Sequence, residues 1–266
     1  MQKPQHPEPS PHLAGTAPSP QVANRSVVRA LSILELMARL ERPLSLGEIA
    51  TELKLPKSSA LTLLRALTQR EFASVDARGY YVLAVRSFET GAAYLRSMTP
   101  VRAVEGELRV LTESLGATSH FAVLDQNEVL YLAKHDPPGT GLKLASSLGA
   151  RLPAMITAVG KAQLAYRPAP DGGWPEPLRA ELASVRRLGH AVDEGQTATG
   201  IRCVAAPVFS NTGCCGAVGV SYLLHGRQDN ADVVAAVMAA ARRASVRLGG
   251  WPLLAPADAE EKGIGA

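Results

Sequence analysis

The stretch from Lys57 to Gln69 places small hydroxyl groups and cations on one side of a helical pattern. That side has no long acidic side chain and carries Lys57, Ser58, Ser59, Thr62 and Arg65. Such groups can reach base edges and phosphate oxygens when a helix lies in a major groove. The opposite side is apolar and is expected to be buried, with Ala60, Leu63, Leu64 and Leu67. Leu61 has two interpretations, contact with a thymine methyl group or packing against the preceding helix.

Two amphipathic helices are expected to hold this stretch in place. The first is predicted from Ser26 to Arg39, and its helical spacing favours a buried side with Val27, Ala30, Leu31, Leu34 and Met37 or Ala38. The second is predicted over LGEIATEL, where Ser45 and Glu48 have the spacing of a capping box. Pro56 suits the first turn of the third helix, because proline has no backbone N–H to leave unpaired.

A hairpin is predicted directly after the third helix. FASVD and YYVLA have the pattern of two short strands, and Arg78 lies in the turn between them, where it can contact the phosphate backbone. This order of elements is that of a winged helix-turn-helix, so we predict a DNA-binding domain over residues 25–84. The residues expected to contact double-stranded DNA are Arg25, Ser45, Lys57, Ser58, Ser59, Leu61, Thr62, Arg65 and Arg78.

The charge distribution agrees with this interpretation. Residues 25–100 contain eleven Lys and Arg against seven Asp and Glu, a surplus of four that equals the net charge of the 266-residue chain. The positive and negative charges of the remaining sequence therefore cancel. The excess of cations lies in the segment that is predicted to contact DNA phosphates.

Two separated blocks of sequence resemble one protein family. SVVRALSILELMA and LSLGEIATELKLPKSSALTLLRALTQREF resemble the DNA-binding domain of the IclR family of bacterial transcriptional regulators. RLPAMITAVGKAQLA and GHAVDEGQTATGIRCVAAPVFSNTGCCGAVGVS resemble the later part of the same family, and the likeness runs from about residue 24 to about residue 249. In this family Arg is usual where the chain has Thr62, so one cation contact is lost there, and the operator sequence cannot be transferred from relatives.

The resemblance implies an α+β protein with an N-terminal winged helix-turn-helix, a linker helix over residues 85–100 and a GAF-like or PAS-like effector-binding domain over residues 101–250. The later sequence agrees, because β-rich runs at 119–124, 128–133, 142–146, 201–208 and 215–223 are interspersed with helical patterns at 101–115, 157–166, 178–188 and 229–249. Pro100 is expected to mark the break after the linker helix. The family also implies dimers or tetramers that present two reading helices to a palindromic operator.

The effector site follows from the resemblance, position by position. The residues that it places on a small-molecule cavity are Met155, Thr157, Ala158, Asp193, Cys203, Gly219 and Ser221. Three positions depart from the family pattern, since Met155 replaces a His, Gly219 a Ser and Tyr222 a Gly. Each change removes a polar group or adds apolar bulk, so we expect a carboxylic acid with an aromatic or alkyl body.

An enzymatic alternative would use Cys203 as a nucleophile in a ligand-binding module, with His190 or His225 as the base, or would recruit Cys203, Cys214 and histidines to a metal. The motifs of such sites are missing, and a buried Cys on a strand commonly acts as a small apolar residue. We therefore expect neither catalysis nor a cofactor nor a metal. His120 is expected to face solvent or the rim of the cavity.

The remaining features concern the two ends of the chain, its cysteines and its cellular location. Residues 1–24 are rich in Pro and Ser and are expected to be disordered, as is a flexible tail at 251–266. The first segment lacks the apolar run of a signal peptide, and no later run is long and apolar enough to span a membrane. Three cysteines, two of them adjacent, argue against a disulfide framework. A cytoplasmic protein without membrane contact is expected.

Overall fold

The computed structural model describes residues 24–139, 146–224 and 231–250. The two predicted tails except Asn24, most of the predicted strand at 142–146, His225 and the start of the predicted last helix lie outside the described residues. Asn24, predicted as the last residue of the first tail, is the N-cap of the first helix. Chain contacts divide the protein into two compact units, with the boundary between Ala92 and Ala93.

The N-terminal unit consists of three helices and a hairpin. The helices are α1 (Arg25–Leu40), α2 (Leu46–Glu52) and α3 (Lys57–Gln69), and the strands are β1 (Ala73–Val75) and β2 (Tyr81–Leu83). Leu44, between α1 and α2, exchanges two backbone hydrogen bonds with Tyr81 of β2, of 3.0 and 2.7 Å. The hairpin is thereby tied to the helices, and the winged helix-turn-helix is confirmed.

The predicted buried side of α1 is only partly correct. Val27 and Leu31 are 54% and 53% exposed, so their predicted burial is wrong. Met37 is buried as predicted, and Ile33 and Leu36, which were not predicted, are buried with it against residues of α2 and α3. Apolar residues occupy more than one side of this helix, so periodicity alone could not tell which stripe meets the core.

The predicted linker helix ends before Pro100. α4 (Val85–Ser97) contains no buried residue, and α5 (Thr99–Leu115) begins before Pro100. The break therefore falls at Met98, because Pro100 occupies the first turn of α5, where its missing N–H costs nothing.

The C-terminal unit is built on an antiparallel sheet of six strands in the order β5-β4-β3-β8-β7-β6. The strands are β3 (Thr118–Asp125), β4 (Glu128–His135), β5 (Arg151–Pro153), β6 (Ala191–Glu194), β7 (Ile201–Ser210) and β8 (Gly213–Leu223). The edge strands β5 and β6 were not predicted, since three or four residues are too few to show an alternating pattern.

Helices cover both faces of this sheet. α5 and α8 (Ala231–Arg247) pack on one face around Leu108, Val204 and Val237. α6 (Ala158–Leu164) and α7 (Glu176–Leu188) pack on the other around Val159, Leu182 and Ala205. This mixture of an antiparallel sheet and helices confirms the α+β class.

Candidate functional site

The exposed side of α3 carries the residues that were expected to contact DNA. Lys57, Ser58, Thr62 and Arg65 are exposed, while Ser59 and Leu61 are half-buried. Ala60 and Leu64 are buried, and Leu63 and Leu67 pack against the same core, so the two sides of α3 face as predicted. Neither Lys57 nor Arg65 forms an ion pair with a described residue. Both cations are therefore available to phosphate.

One hydroxyl on this surface is already engaged. The Thr62 hydroxyl donates to the backbone carbonyl of Ser58 at 3.0 Å, one turn earlier in α3. Its oxygen can still accept a hydrogen bond, for example from the exocyclic amine of adenine or cytosine, but its donor is used within the helix.

Ser45 holds the start of α2 rather than presenting a free side chain. Its hydroxyl accepts from the backbone N–H of Glu48 at 3.2 Å, and its own backbone N–H donates to the Glu48 carboxylate at 2.8 Å. The predicted capping box is confirmed. Hydrogen bonds from Ser45 and Arg42 lower the pKa of Glu48 to about 2, so the carboxylate stays charged.

The hairpin turn is organised by Asp76. One carboxylate oxygen of Asp76 accepts from the backbone N–H groups of Arg78 and Tyr80, both at 2.9 Å. Gly79 has φ +81°, a left-handed conformation that suits glycine. Arg78 is exposed in this turn, and Arg25 is exposed in the first turn of α1. Unlike these two exposed arginines, Ser45 is half-buried and its hydroxyl is hydrogen-bonded within the capping box.

A second candidate site is a small cavity on the α6 side of the C-terminal sheet, with a volume of about 30 Å³. It is lined by five of the seven residues expected from the family pattern: Thr157, Ala158, Asp193, Cys203 and Ser221. Met155 and Gly219 are not among the described lining residues, and Met155 is 46% exposed. The lining residues that sequence reasoning missed are Tyr131, Ser146, Leu152, Thr197, Ala198 and Ile201.

Two of the missed residues could have been predicted from the sequence. Ile201 lies two positions before Cys203 on β7, and side chains two apart on a strand share a face. Tyr131 lies on a strand that was predicted, and its partner across the sheet is Ala122 of β3. The others lie outside the regular strands that periodicity can detect, except Leu152 in the short strand β5.

Asp193 uses its carboxylate to close a turn. The carboxylate accepts from the backbone N–H of Gln196 at 2.8 Å and that of Thr197 at 3.4 Å, and from the Thr197 hydroxyl. The buried carboxyl group of Asp193 is therefore already hydrogen-bonded by donors of the loop that lines the cavity.

Cys203 and His120 form a buried contact that the sequence did not signal. His120 is 1% exposed, so the expectation that it faces solvent or the rim is wrong. Its Nε2 lies 3.6 Å from the Cys203 sulfur. Burial lowers the pKa of His120 to about 3 and raises that of Cys203 to about 12. Both groups are neutral at physiological pH, whereas a catalytic Cys–His pair needs a thiolate or a base that can generate it.

His190 lies elsewhere, in a groove of about 350 Å³ that α6, α7 and β6 line together with Lys161. Lys161 is buried, and its ammonium group already has three oxygen partners. These are the Glu181 carboxylate at 2.6 Å, the Val192 carbonyl at 3.3 Å and the Gln196 side chain. Within the ranges that the structure describes, no three His, Cys, Asp or Glu side chains group in a way that could hold a metal ion. The helices described there include none that is long and apolar enough to cross a membrane.

Comparison with known families places these two sites in context. The IclR helix-turn-helix domain model matches residues 26–77, and the model of the C-terminal part of the bacterial transcriptional regulator IclR matches residues 92–171 and 174–246. Together the models span most of the chain. The chain belongs to the IclR family of bacterial transcriptional regulators.

Two regulators of Escherichia coli are similar to this chain over most of its length. The uncharacterized HTH-type transcriptional regulator RhmR of Escherichia coli is 31% identical over 245 residues, which cover 85% of this chain and 94% of RhmR. The transcriptional repressor IclR of the same organism is 29% identical over 70% of this chain and 74% of its own.

Solved structures share the IclR-family fold. A regulator from Alicyclobacillus acidocaldarius matches with a TM-score of 0.74 at 25% identity, over 86% of this chain and 99% of its own. An IclR homologue from Microbacterium hydrocarbonoxydans, complexed with 4-hydroxybenzoate, matches with a TM-score of 0.73 at 21% identity, over 84% and 98%. Family membership makes this chain a DNA-binding transcriptional regulator. None of these relatives supports the alternative of a Cys203-based enzyme.

Proposed function

We propose that this regulator binds a palindromic operator as a dimer or a tetramer, and that a small organic acid bound in the C-terminal unit changes its affinity for that operator. The observation that carries the proposal is the cavity beside α6, whose buried lining combines apolar side chains with hydroxyl groups. A pocket with an apolar body and a few placed polar groups suits a small organic ligand.

Contacts to DNA are assigned to the exposed side of α3 and to the hairpin. Lys57, Arg65 and Arg78 would contact phosphates or base edges, and Ser58, Ser59 and Thr62 would add hydrogen bonds. Arg25 would contact the backbone from the start of α1. Leu61 is half-buried, which leaves part of its side chain available to a thymine methyl group.

The effector is proposed to be a carboxylic acid with an aromatic or alkyl body. Leu152, Ala158 and Ile201 supply apolar contact, and the hydroxyl of Ser146 is buried without a hydrogen-bond partner in the described residues. The homologue from Microbacterium hydrocarbonoxydans is complexed with an acid of this class. A cavity of about 30 Å³ holds roughly one water molecule, so such a ligand must displace side chains as it binds.

Subunit pairing is proposed to use exposed apolar residues of α1 and α4. Val27, Leu31, Phe88 and Tyr94 are all more than half exposed, and Phe88 is 74% exposed. A twofold axis between two such surfaces would present two copies of α3 to a palindrome.

The route between ligand and DNA is proposed to run through α4. Its first turn is attached to the hairpin end of the N-terminal unit, where the Ser87 hydroxyl donates to the Phe72 carbonyl at 2.9 Å. Leu95, near its last turn, packs against the core of the C-terminal unit. A ligand that shifts this core can therefore change how α4 holds the DNA-binding unit, with a coupling free energy of ~1–3 kcal/mol.

Domain limits and location complete the proposal. We assign residues 25–84 to DNA binding, 85–100 to the linker and 101–250 to effector binding, with no catalytic role for any of them. The relatives are transcriptional regulators, and a bacterial regulator meets its operator in the cytoplasm.

The test combines DNA binding with ligand titration. An operator is first selected from random duplexes, and its affinity is then measured by fluorescence anisotropy with a panel of aromatic acids and short oxo-acids. We expect at least one aromatic acid to change operator affinity by about 5- to 150-fold. Binding of glyoxylate-sized acids alone, measured by isothermal titration, would contradict the proposed ligand class. A turnover assay on the same panel is expected to yield no product.

A further inference from the structure

The turn between α2 and α3 places a lysine in a backbone conformation that favours glycine. Lys54 has φ +51°, in the left-handed region. Its backbone N–H donates to the Thr51 carbonyl at 3.1 Å, and the N–H of Leu55 donates to the Ala50 carbonyl at 2.8 Å. These two bonds form a Schellman motif, in which the left-handed residue after the helix is usually glycine. A Cβ at that position crowds the following carbonyl oxygen, so Lys54 occupies it at an energetic cost.

Two other helices of the chain end on glycine in the left-handed conformation. They are α5 and α7, which end at Gly116 and Gly189. Four described residues other than glycine have a positive φ: Glu41, Lys54, Glu71 and Gln126. Of these four residues, Lys54 is the only cation. A long side chain at a position that favours glycine points to a use for that side chain outside the turn itself.

The side chain of Lys54 is available for binding. It is exposed, and its ammonium group forms no ion pair with a residue that the structure describes. Glu48, in the first turn of α2, is paired with Arg42 at 2.8 Å instead. Lys57, the first residue of α3, is also exposed and has no described carboxylate partner. Two cations therefore lie next to each other in sequence at the start of the helix that is proposed to read DNA, where a phosphate can neutralise them.

We infer that Lys54 binds a phosphate of the operator beside the groove that α3 enters. This inference rests on the proposed function and deepens it by adding a contact from the turn that precedes the reading helix. In a helix-turn-helix the first residues of the second helix contact base edges, so a cation just before that helix meets the DNA backbone. The two hydrogen bonds of the Schellman motif fix the backbone from which the lysine extends. Such a contact orients the protein on the duplex and reads no sequence.

A purely structural role for Lys54 is the competing explanation, because a cation near the C-terminal end of a helix interacts favourably with the helix dipole. That role affects stability and leaves DNA binding unchanged. Three variants separate the two roles. Lys54→Gln removes the charge and keeps a long side chain in the left-handed conformation. Lys54→Gly removes the charge and also relieves the crowded backbone, whereas Lys54→Arg keeps the charge.

The experiment titrates the full chain against the selected operator and against a random duplex by fluorescence anisotropy at several salt concentrations. At about 0.1 M salt we expect Lys54→Gln and Lys54→Gly to weaken operator binding at least ~5-fold, and the log–log salt slope to become shallower by about one unit per bound subunit. Binding to the random duplex should weaken by the same factor, within about twofold, because a phosphate contact carries no sequence information. Lys54→Arg should stay within about threefold of wild type.

Thermal unfolding of the same variants shows that the loss of binding is not a loss of folding. Lys54→Gly should unfold at a higher temperature than Lys54→Gln, because glycine adopts the left-handed conformation without crowding, and yet bind DNA as weakly. Arg39→Gln removes an exposed cation from a helical position of the same unit and is the matched control. It should keep the affinity and the salt slope of wild type.

Three results would overturn the inference: wild-type operator affinity in Lys54→Gly, a loss that Lys54→Arg shares, or a loss confined to the operator. Lys57→Ala and Arg65→Ala, measured in the same assay, separate this failure from that of the proposed function. If they weaken binding while Lys54→Gly does not, the proposed reading helix stands without a contact from the turn. If they also bind like wild type, the proposed reading helix fails and this inference fails with it.

Discussion

Single side chains of the N-terminal unit divide into those that build the domain and those that are free to bind. Ser45 and Glu48 bond to each other, and Asp76 closes the hairpin turn, so their polar groups are used within the fold. Lys57 and Arg65 have no carboxylate partner among the described residues. Free cations on a polar helix surface are the groups that a phosphate backbone can neutralise.

Replacing Arg65 or Lys57 by Ala is expected to weaken operator binding roughly tenfold, because each variant loses a cation that can contact phosphate or a base edge. The salt dependence of the affinity should also become shallower, by about one unit of the log–log slope. Anisotropy titrations at several salt concentrations measure both. Arg39→Ala, an exposed cation near the end of α1, serves as the control. Unchanged affinity of both variants at matched salt would remove α3 as the reading helix.

Replacing Ser45 by Ala is expected to destabilise the N-terminal unit by about 1 kcal/mol, because α2 loses its N-terminal cap. The pKa of Glu48, about 2, lies below the ordinary value of 4.5. Its stabilising contribution is therefore complete above pH 4.5 and is lost as the pH falls toward 2. Amide hydrogen exchange in α2 measures the effect, and Glu52→Ala, in the same helix, is the control. Equal protection of α2 in wild type and Ser45→Ala would contradict the role of the cap.

At the scale of elements, α5 and α8 are joined by one buried carboxylate. Glu107 of α5 is 4% exposed and pairs with Arg243 at 2.7 Å and Arg247 at 2.6 Å, both on α8. Burial raises the pKa of Glu107, but the hydrogen bonds and charges of the two arginines outweigh it and lower the pKa overall. The two arginines of α8 thus favour the charged form of this carboxylate.

The two sides of this cluster should respond differently to mutation. The double change Arg243→Ala and Arg247→Ala leaves a buried charge without a partner and should cost on the order of 3 kcal/mol. Glu107→Gln leaves two half-exposed guanidinium groups in water and should cost clearly less. Urea unfolding followed by tryptophan fluorescence reports on this unit, because both tryptophans, Trp174 and Trp251, follow residue 92 in the sequence. The reverse order of stabilities would contradict the assignment.

At the scale of the whole molecule, DNA-binding side chains and the effector cavity belong to different compact units, and α4 spans the boundary between them. The proposed coupling between these units uses the helix that both share, or partner subunits. The exposed aromatic residues of α4 are therefore expected to matter for assembly as well as for signalling.

Replacing Phe88 by Glu is expected to shift the protein from dimer or tetramer toward smaller species, because a charge would be placed in an apolar subunit contact. Operator affinity should fall at the same time, since two linked reading helices bind far more tightly than one. Sedimentation analysis measures assembly, and Leu148→Glu, an exposed leucine of the C-terminal unit, is the control. A Phe88→Glu variant with unchanged mass and affinity would show that α4 lies outside the subunit contact.

The sequence alone determined the helices, the hairpin, the capping box and the family, because each depends on neighbours within a few residues or on an ordered set of motifs. It failed on which stripe of α1 is buried, on the edge strands β5 and β6 and on the burial of His120. Those depend on which surfaces meet after folding. Only the tertiary structure brought His120, Cys203 and Tyr131 together, since they come from three strands separated along the chain. Hydrogen-bond partners in a sheet are set by strand order and register, which local sequence patterns do not encode.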